Sequence, residues 1–385
     1  MSNRGSNEGL NRLLACFHDA KRNAVVELER AKDQGKKIVG MYCLFAPVEL
    51  IWSLGAIPVG LCGTSEVPIP DAEKILPRNL CPLIKSSYGF AITDTCPFFR
   101  LADCIIAEAT CDGKKKMFEL LGREKALFLM DIPQKREGAE ALTYWISEIK
   151  RMGSFLEKQL ECEIDEKHLQ RSIKAMNEQR MLLQKILRWF KGNPPLTGMD
   201  MNALVEATFF QPDQDKTLNL LKDLLNHLER DQGEDALSGN RRILLTGCPV
   251  GSGSEKVLEL IEELGGLVVC QESCSGIRSF NFTVDEGKGP LESLAEKYLA
   301  IPCASMTPNM RRIELIDRLI REYDIKGVVD LTWQSCHTFN VESYRVKEHV
   351  ENRFQLPYLH IETDYSLYDR EQLRTRIEAF LEMIN

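Results

Sequence analysis

The chain has 385 residues, 44% hydrophobic and 28% charged, with a net charge of −8. That length is too great for one ordinary core and the composition is that of a globular chain, so two domains plus additional structure are expected. The acidic balance without a basic stripe argues against a nucleic-acid partner, and no apolar run approaches the roughly 18 residues of a membrane span. The start "MSNRGSNEGLNRLL" lacks an apolar signal core, so a cytoplasmic protein is expected. "GKKKM" (113–117) and "NRR" (240–242) are the locally basic stretches, read as solvated element ends.

Residues 8–34 carry apolar positions at helical spacing and stop at Gly35, which predicts one N-terminal helix. "KKIVGMYC" then predicts a strand, "PVELIWSLGA" a helix, "IPVGLCG" a strand, "CPLIKSSYGFAI" a helix and "ADCIIAEATC" a buried strand. "DGKKKMFELLG" and "KALFLMDIP" follow as helix and strand. Such βαβα alternation is the signature of a parallel sheet covered by helices. Residues 1–138 are therefore read as an N-terminal helix plus a first α/β domain.

From 139 to 240 the segments are long, amphipathic and poor in strand formers, which predicts a helical insert closed by the polar linker "QGEDALSGNRR". Residues 241–385 resume the alternation with strands at "RILLTG", "LVVCQE", "GVVDLTW" and "YLHIETD" and helices between and after them. The two α/β halves look like a weak internal duplication, and corresponding positions are expected to serve one shared site between them.

Thirteen cysteines are unusual for a chain expected in a reducing compartment, where disulfides are rare. Six fall at predicted strand-to-helix or loop-to-helix junctions: Cys43, Cys81, Cys111, Cys248, Cys274 and Cys336. There the free N–H groups of a helix start favour a thiolate, the form that binds iron or zinc. The other seven, Cys16, Cys62, Cys96, Cys104, Cys162, Cys270 and Cys303, are read as buried thiols, with Cys96 and Cys270 close to site candidates. Zinc fits poorly, because only Cys270 and Cys274 approach the paired spacing of a structural zinc site, and the compact cysteine run of a bacterial ferredoxin is absent. A cluster held by dispersed cysteines of two domains fits the spacing better.

"GCPVGSGSEK" (247–256) lacks the ending of a P-loop and the third glycine of a dinucleotide fingerprint. Its glycines are expected to let the backbone approach a bulky inorganic ligand. His337, next to Cys336, is a candidate proton donor, set against the commoner role of a capping or core histidine. Glu49 and Lys85 could face the cleft or an exposed helix face, and the three lysines 114–116 are read as solvated or partner-facing.

"PVELIWSLGAIPV", "LCPLIKSSYG", "TCDGKKKMFE", "ILLTGCPV", "ESCSGIRSF" and "LPYLHIETDY" resemble the sequence blocks of the 2-hydroxyacyl-CoA dehydratase component D superfamily, which includes the benzoyl-CoA reductase subunits. The resemblance runs from about residue 38 to 380. It implies two Rossmann/flavodoxin-like domains with a cluster in the cleft between them. Cys81, Cys111 and Cys336 match the three ligands of a dehydratase 4Fe-4S cluster. Cys43, Cys248 and Cys274 are additional, and six thiolates are what two linked cubanes would need. The chain is thus most similar to the double-cubane cluster proteins, with an 8Fe-9S cluster.

That resemblance implies an iron–sulfur reductase acting on small unsaturated or N–N-bonded molecules. It further implies homodimerisation and electron supply by a separate ATP-hydrolysing activator of the actin/sugar-kinase type, carrying its own 4Fe-4S cluster. Two alternatives stay open: a 4Fe-4S dehydratase subunit, a lyase that needs a different partner subunit and an acyl-CoA, and a non-catalytic cluster carrier or electron store.

Overall fold

The computed structural model describes residues 8–231 and 241–384; the expected linker lies outside the described residues at 232–240. Four strands form the first sheet: β1 (Ile38–Met41), β2 (Ile57–Gly60), β3 (Cys104–Glu108) and β4 (Leu127–Met130). Four more form the second: β5 (Arg242–Gly247), β6 (Leu267–Glu272), β7 (Gly327–Trp333) and β8 (Tyr358–Thr363). Both are wholly parallel and share one order, β2-β1-β3-β4 and β6-β5-β7-β8. The duplication suspected from sequence is therefore a duplication of topology. Each order reverses direction once, between β1 and β3 and between β5 and β7, and ligands of open α/β sheets gather outside the strand ends at such a reversal.

The strands are mainly apolar, and β1, β3, β5, β6 and β7 are buried at every position, as expected of sheets covered on both faces. Helices Ala139–Leu160, Glu166–Leu187, Gly198–Ala207 and Gln214–Asp231 make up the helical stretch between the sheets. One apolar cluster runs from Ile57 and Ile105 of the first sheet to Leu245 and Val329 of the second, so side chains of both sheets share a core. No helix among the described residues is long and apolar enough to cross a membrane.

Several local expectations are corrected. The N-terminal segment is two helices, Glu8–His18 and Ala20–Asp33, parted at Asp19. Helix Pro290–Leu299 was not expected, although Gly289 followed by a proline in the first turn is a start signal. Arg242 is not solvated: its guanidinium is buried and donates to the carbonyls of Phe190, Gly192 and Tyr323, tying β5 to the helical stretch. Gly247 (φ +110°) and Gly253 (φ +101°) serve the backbone rather than a ligand. A Cβ on Gly247 would lie 2.1 Å from the Leu331 carbonyl oxygen, and one on Gly253 would lie 3.0 Å from that of Thr64.

Glu262 joins the second sheet's helix Lys256–Glu263 to the helical stretch, accepting from the N–H groups of Gly198 (2.6 Å) and Met199 (3.3 Å). Burial nevertheless pushes its carboxyl from the usual 4.5 up to about 7. The native state thus holds a proton that the unfolded chain releases, a contribution fully present below about pH 4.5 and lost as pH rises through about 7. Glu262→Gln, which keeps an acceptor for one of the two N–H groups and cannot titrate, should abolish that slope, worth roughly 3 kcal/mol. Urea unfolding of parent and variant between pH 5 and pH 8 checks this; parallel stability curves would refute it.

Candidate functional site

A cavity of about 520 Å³ opens between the two sheets at their carboxyl ends. Parallel strands deliver their following loops to this edge, and the loops bring cysteines: Cys43 after β1, Cys62 after β2, Cys111 after β3, Cys248 after β5, Cys274 after β6 and Cys336 after β7. Cys81 and Cys303 also reach the wall, from segments that precede helices Pro82–Ile92 and Met310–Glu322. All six cysteines singled out by sequence therefore line one cavity, together with two that were read as ordinary buried thiols. The overlooked signal for Cys62 was the duplication itself, since Cys62 follows the second strand of its sheet as Cys274 does. Cys303 has a weaker counterpart in Cys81. Cys16, Cys96, Cys104, Cys162 and Cys270 do not line the cavity; Cys104 and Cys270 are buried within β3 and β6.

Helix-start placement holds for three of the six. Cys81, Cys111 and Cys336 are the N-caps of helices Pro82–Ile92, Asp112–Leu121 and His337–Phe354. The Cys111 sulfur accepts from the Lys114 N–H at 3.4 Å, as a capping oxygen would. Cys43, Cys248 and Cys274 lie within loops instead. Cys43 adopts φ +67° and Ser335, before Cys336, φ +61°, a left-handed conformation that costs a non-glycine residue about 1 kcal/mol or more and persists where packing enforces it.

The thiols interact across the two halves. Proximity to Cys248 and Cys81 pulls the Cys336 thiol well below the ordinary range, while Cys336 and burial raise Cys81, and burial and then Cys336 raise Cys248. Cys248 also accepts from the Trp333 N–H at 3.4 Å. On the opposite flank, Lys114 is buried with its ammonium 2.5 Å from the Cys43 sulfur, contrary to the expectation of a solvated lysine. Burial opposes that charge, but Cys43, Cys62 and Cys111 outweigh it and raise the Lys114 pKa. Behind Cys43, Glu108 accepts from the Ala46 N–H at 2.8 Å, and burial pushes its carboxyl up to about 8. Lys115 and Lys116 pair on the surface with Asp112 and Glu119.

His337 lines the cavity but is exposed at its edge. Lys85 is structural, bonded to Glu73 and to the Arg78 carbonyl. Glu49 is completely buried, accepting from Arg180 (2.6 Å) and the Tyr298 hydroxyl (2.7 Å), so it joins the helix after Cys43 to the helical stretch and to the second half. A second buried charge group holds the Cys274 loop: Glu272 at the end of β6 accepts from both Arg278 and Arg312. Burial works against the Glu272 carboxylate, and the two guanidinium groups overcome it and lower its pKa.

Among the described residues no group of three or more His, Cys, Asp or Glu side chains is arranged to hold a single metal ion. The donors are eight sulfurs spread around a cavity wall, soft ligands suited to iron–sulfide chemistry and to a group of many atoms. In that sense the residues fit an iron–sulfur cluster.

The family model described as 2-hydroxyglutaryl-CoA dehydratase, D-component, matches residues 43–384. A protein of Escherichia coli (strain K12) that carries the name of a dehydratase subunit, YjiM, is 41% identical over 371 residues, covering 96% of this chain and 97% of the relative. The (R)-phenyllactyl-CoA dehydratase beta subunit of Clostridium sporogenes is 23% identical, covering 96% and 97%. One of the benzoyl-CoA reductase subunits of Thauera aromatica is 21% identical over 290 residues, covering 74% and 73%.

Glu272→Ala would leave Arg278 without its carboxylate partner in the core and Arg312 with Glu342 alone. A loss of about 3–5 kcal/mol is expected, because an unpaired buried charge remains. Chemical denaturation measures it, and a cost under about 1 kcal/mol would mean that the pair does not anchor the Cys274 loop.

Proposed function

The chain belongs to the 2-hydroxyglutaryl-CoA dehydratase D-component family, and we propose that it is an iron–sulfur reductase holding an 8Fe-9S double cubane. The observation that carries this reading is the convergence of cysteines from both sheets on one cavity. Cys43, Cys81, Cys111, Cys248, Cys274 and Cys336 would be the ligands. When bound, the group would supply low-potential electrons, delivered by a separate ATP-hydrolysing activator of the actin/sugar-kinase type with its own 4Fe-4S cluster. The substrates are small unsaturated or N–N-bonded molecules, and the working form is a homodimer.

The chain's own contribution is to counter the burial that pushes the thiols of Cys43, Cys111, Cys248 and Cys274 up, and to keep water out. Helix N-termini behind Cys81, Cys111 and Cys336 favour the deprotonated sulfur, and Lys114 offsets charge at Cys43. Backbone N–H groups of Lys114 and Trp333 donate to Cys111 and Cys248, an arrangement that raises a reduction potential by stabilising negative sulfur. Apolar side chains such as Leu80, Leu83, Val250, Phe280 and Phe339 wall the cavity and lower its dielectric. His337, exposed where it lines the cavity, would be the group that brings protons in from solvent.

A second reading is a 4Fe-4S dehydratase subunit, a lyase. It is favoured by the fact that Cys81, Cys111 and Cys336, and none of the other three, are helix N-caps. Iron and acid-labile sulfide per chain after anaerobic purification separate the two. About eight irons, falling in each of Cys43→Ser, Cys248→Ser and Cys274→Ser but not in Cys62→Ser or Cys303→Ser, is the expected result. About four irons, indifferent to the first three changes, would return the chain to the dehydratase pattern, and iron-free protein would end both readings.

A further inference from the structure

Four lysine and arginine side chains reach the cavity wall: Lys21, Lys114, Arg180 and Lys297. Three have a side-chain partner there: Lys21 pairs with Glu206 at 3.0 Å, Lys114 bonds to the Cys43 sulfur, and Arg180 pairs with Glu49 at 2.6 Å. Lys297, on helix Pro290–Leu299, is only 6% exposed, and its ammonium group has neither a hydrogen bond nor an ion pair among the described residues. Its ammonium lies over the ring of Tyr298, 3.6 Å from the centroid. Nearby Glu49 is already committed, one oxygen to Arg180 and the other to the Tyr298 hydroxyl.

We propose that Lys297 is the anchor of an anion subsite in this cavity, one that takes the carboxylate of a small monoanionic substrate or product. The Arg180–Glu49 pair is already neutral, so this end of the wall holds no carboxylate left over to balance a charged Lys297. A single carboxylate balances it, whereas a phosphate dianion would leave a buried excess of negative charge. Burial, and then Arg180, push the Lys297 pKa well below the usual lysine range, so an anion that restores the charged form gains a charge-assisted hydrogen bond in a low-dielectric site. The charges acting on Lys297 are those of Arg180 and Glu49 and not of a cysteine, which sets the subsite apart from the sulfurs. A cavity of about 520 Å³ has the size of a small-molecule pocket. The inference rests on the reading of this cavity as the reaction chamber.

The test is calorimetric titration of the anaerobically purified protein with acetate and with acetamide, its neutral isostere, with iron content measured on the same samples. Acetate should bind at least roughly tenfold tighter than acetamide, and Lys297→Met should remove that preference while Lys297→Arg keeps it. Iron content should be the same in all three proteins. Equal binding of acetate and acetamide by the unaltered protein, or no acetate binding at all, would overturn the subsite without needing a variant. Undiminished acetate binding in Lys297→Met would overturn it too. Acetate preference in iron-free protein would uphold the subsite and sink the cluster reading instead.

Discussion

Strands that run parallel deliver all of their following loops to one edge of the sheet, and that constraint underlies the rest of this molecule. Two sheets of the same order, β2-β1-β3-β4 and β6-β5-β7-β8, turn those edges toward one cavity. A cysteine placed after a strand in either half therefore arrives at the same place, however far apart the residues lie in sequence. Cys43 and Cys248 follow equivalent first strands, Cys62 and Cys274 equivalent second strands, and Cys111 and Cys336 equivalent third strands.

Loops at strand ends are the least constrained part of an α/β fold, so the sulfurs need anchors. The structure supplies them as buried charge pairs. Arg180 and Tyr298 converge on Glu49 just beyond the Cys43 loop, and Arg278 and Arg312 converge on Glu272 just before Cys274. Pairs of this kind gain little stability over a well-packed apolar core, but breaking one is costly, and their directional bonds fix how the elements meet. In the first group one carboxylate, that of Glu49, ties its own helix to two other parts of the chain. The helix that brings Tyr298 also brings Lys297, so the same contact that closes the wall presents a lysine side chain to the cavity.

The two halves are alike in topology and unlike in detail. Cys111 is an N-cap whose sulfur accepts from the first turn of its helix, whereas the thiolate at the equivalent Cys336 is supported chiefly by two other thiols. Cys43 faces an ammonium, and Cys248 faces a backbone N–H of Trp333. A group held between the halves would therefore meet asymmetric surroundings, with more positive charge on the Lys114 side.

Periodicity and turn chemistry in the sequence determined the eight strands, most of the helices and the parallel character of both sheets, because those depend on local apolar pattern alone. Junction position likewise singled out Cys43, Cys81, Cys111, Cys248, Cys274 and Cys336, since a strand end or a helix start is legible from its neighbours. The tertiary structure decided what depends on distant partners. Cys303 reaches the cavity although nothing in its flanking residues says so, Cys62 shows its place only once the two halves are set side by side, and Cys81 meets Cys248 and Cys336 across the two halves. Lys114, one of three consecutive lysines, is buried because the Cys43 sulfur stands opposite it, while Lys115 and Lys116 stay on the surface. Glu49 became structural because Arg180, 131 positions away, reaches it, and Lys297 was left without such a partner. Burial and charge pairing are properties of where the chain returns to itself, and that information is absent from any short stretch of residues.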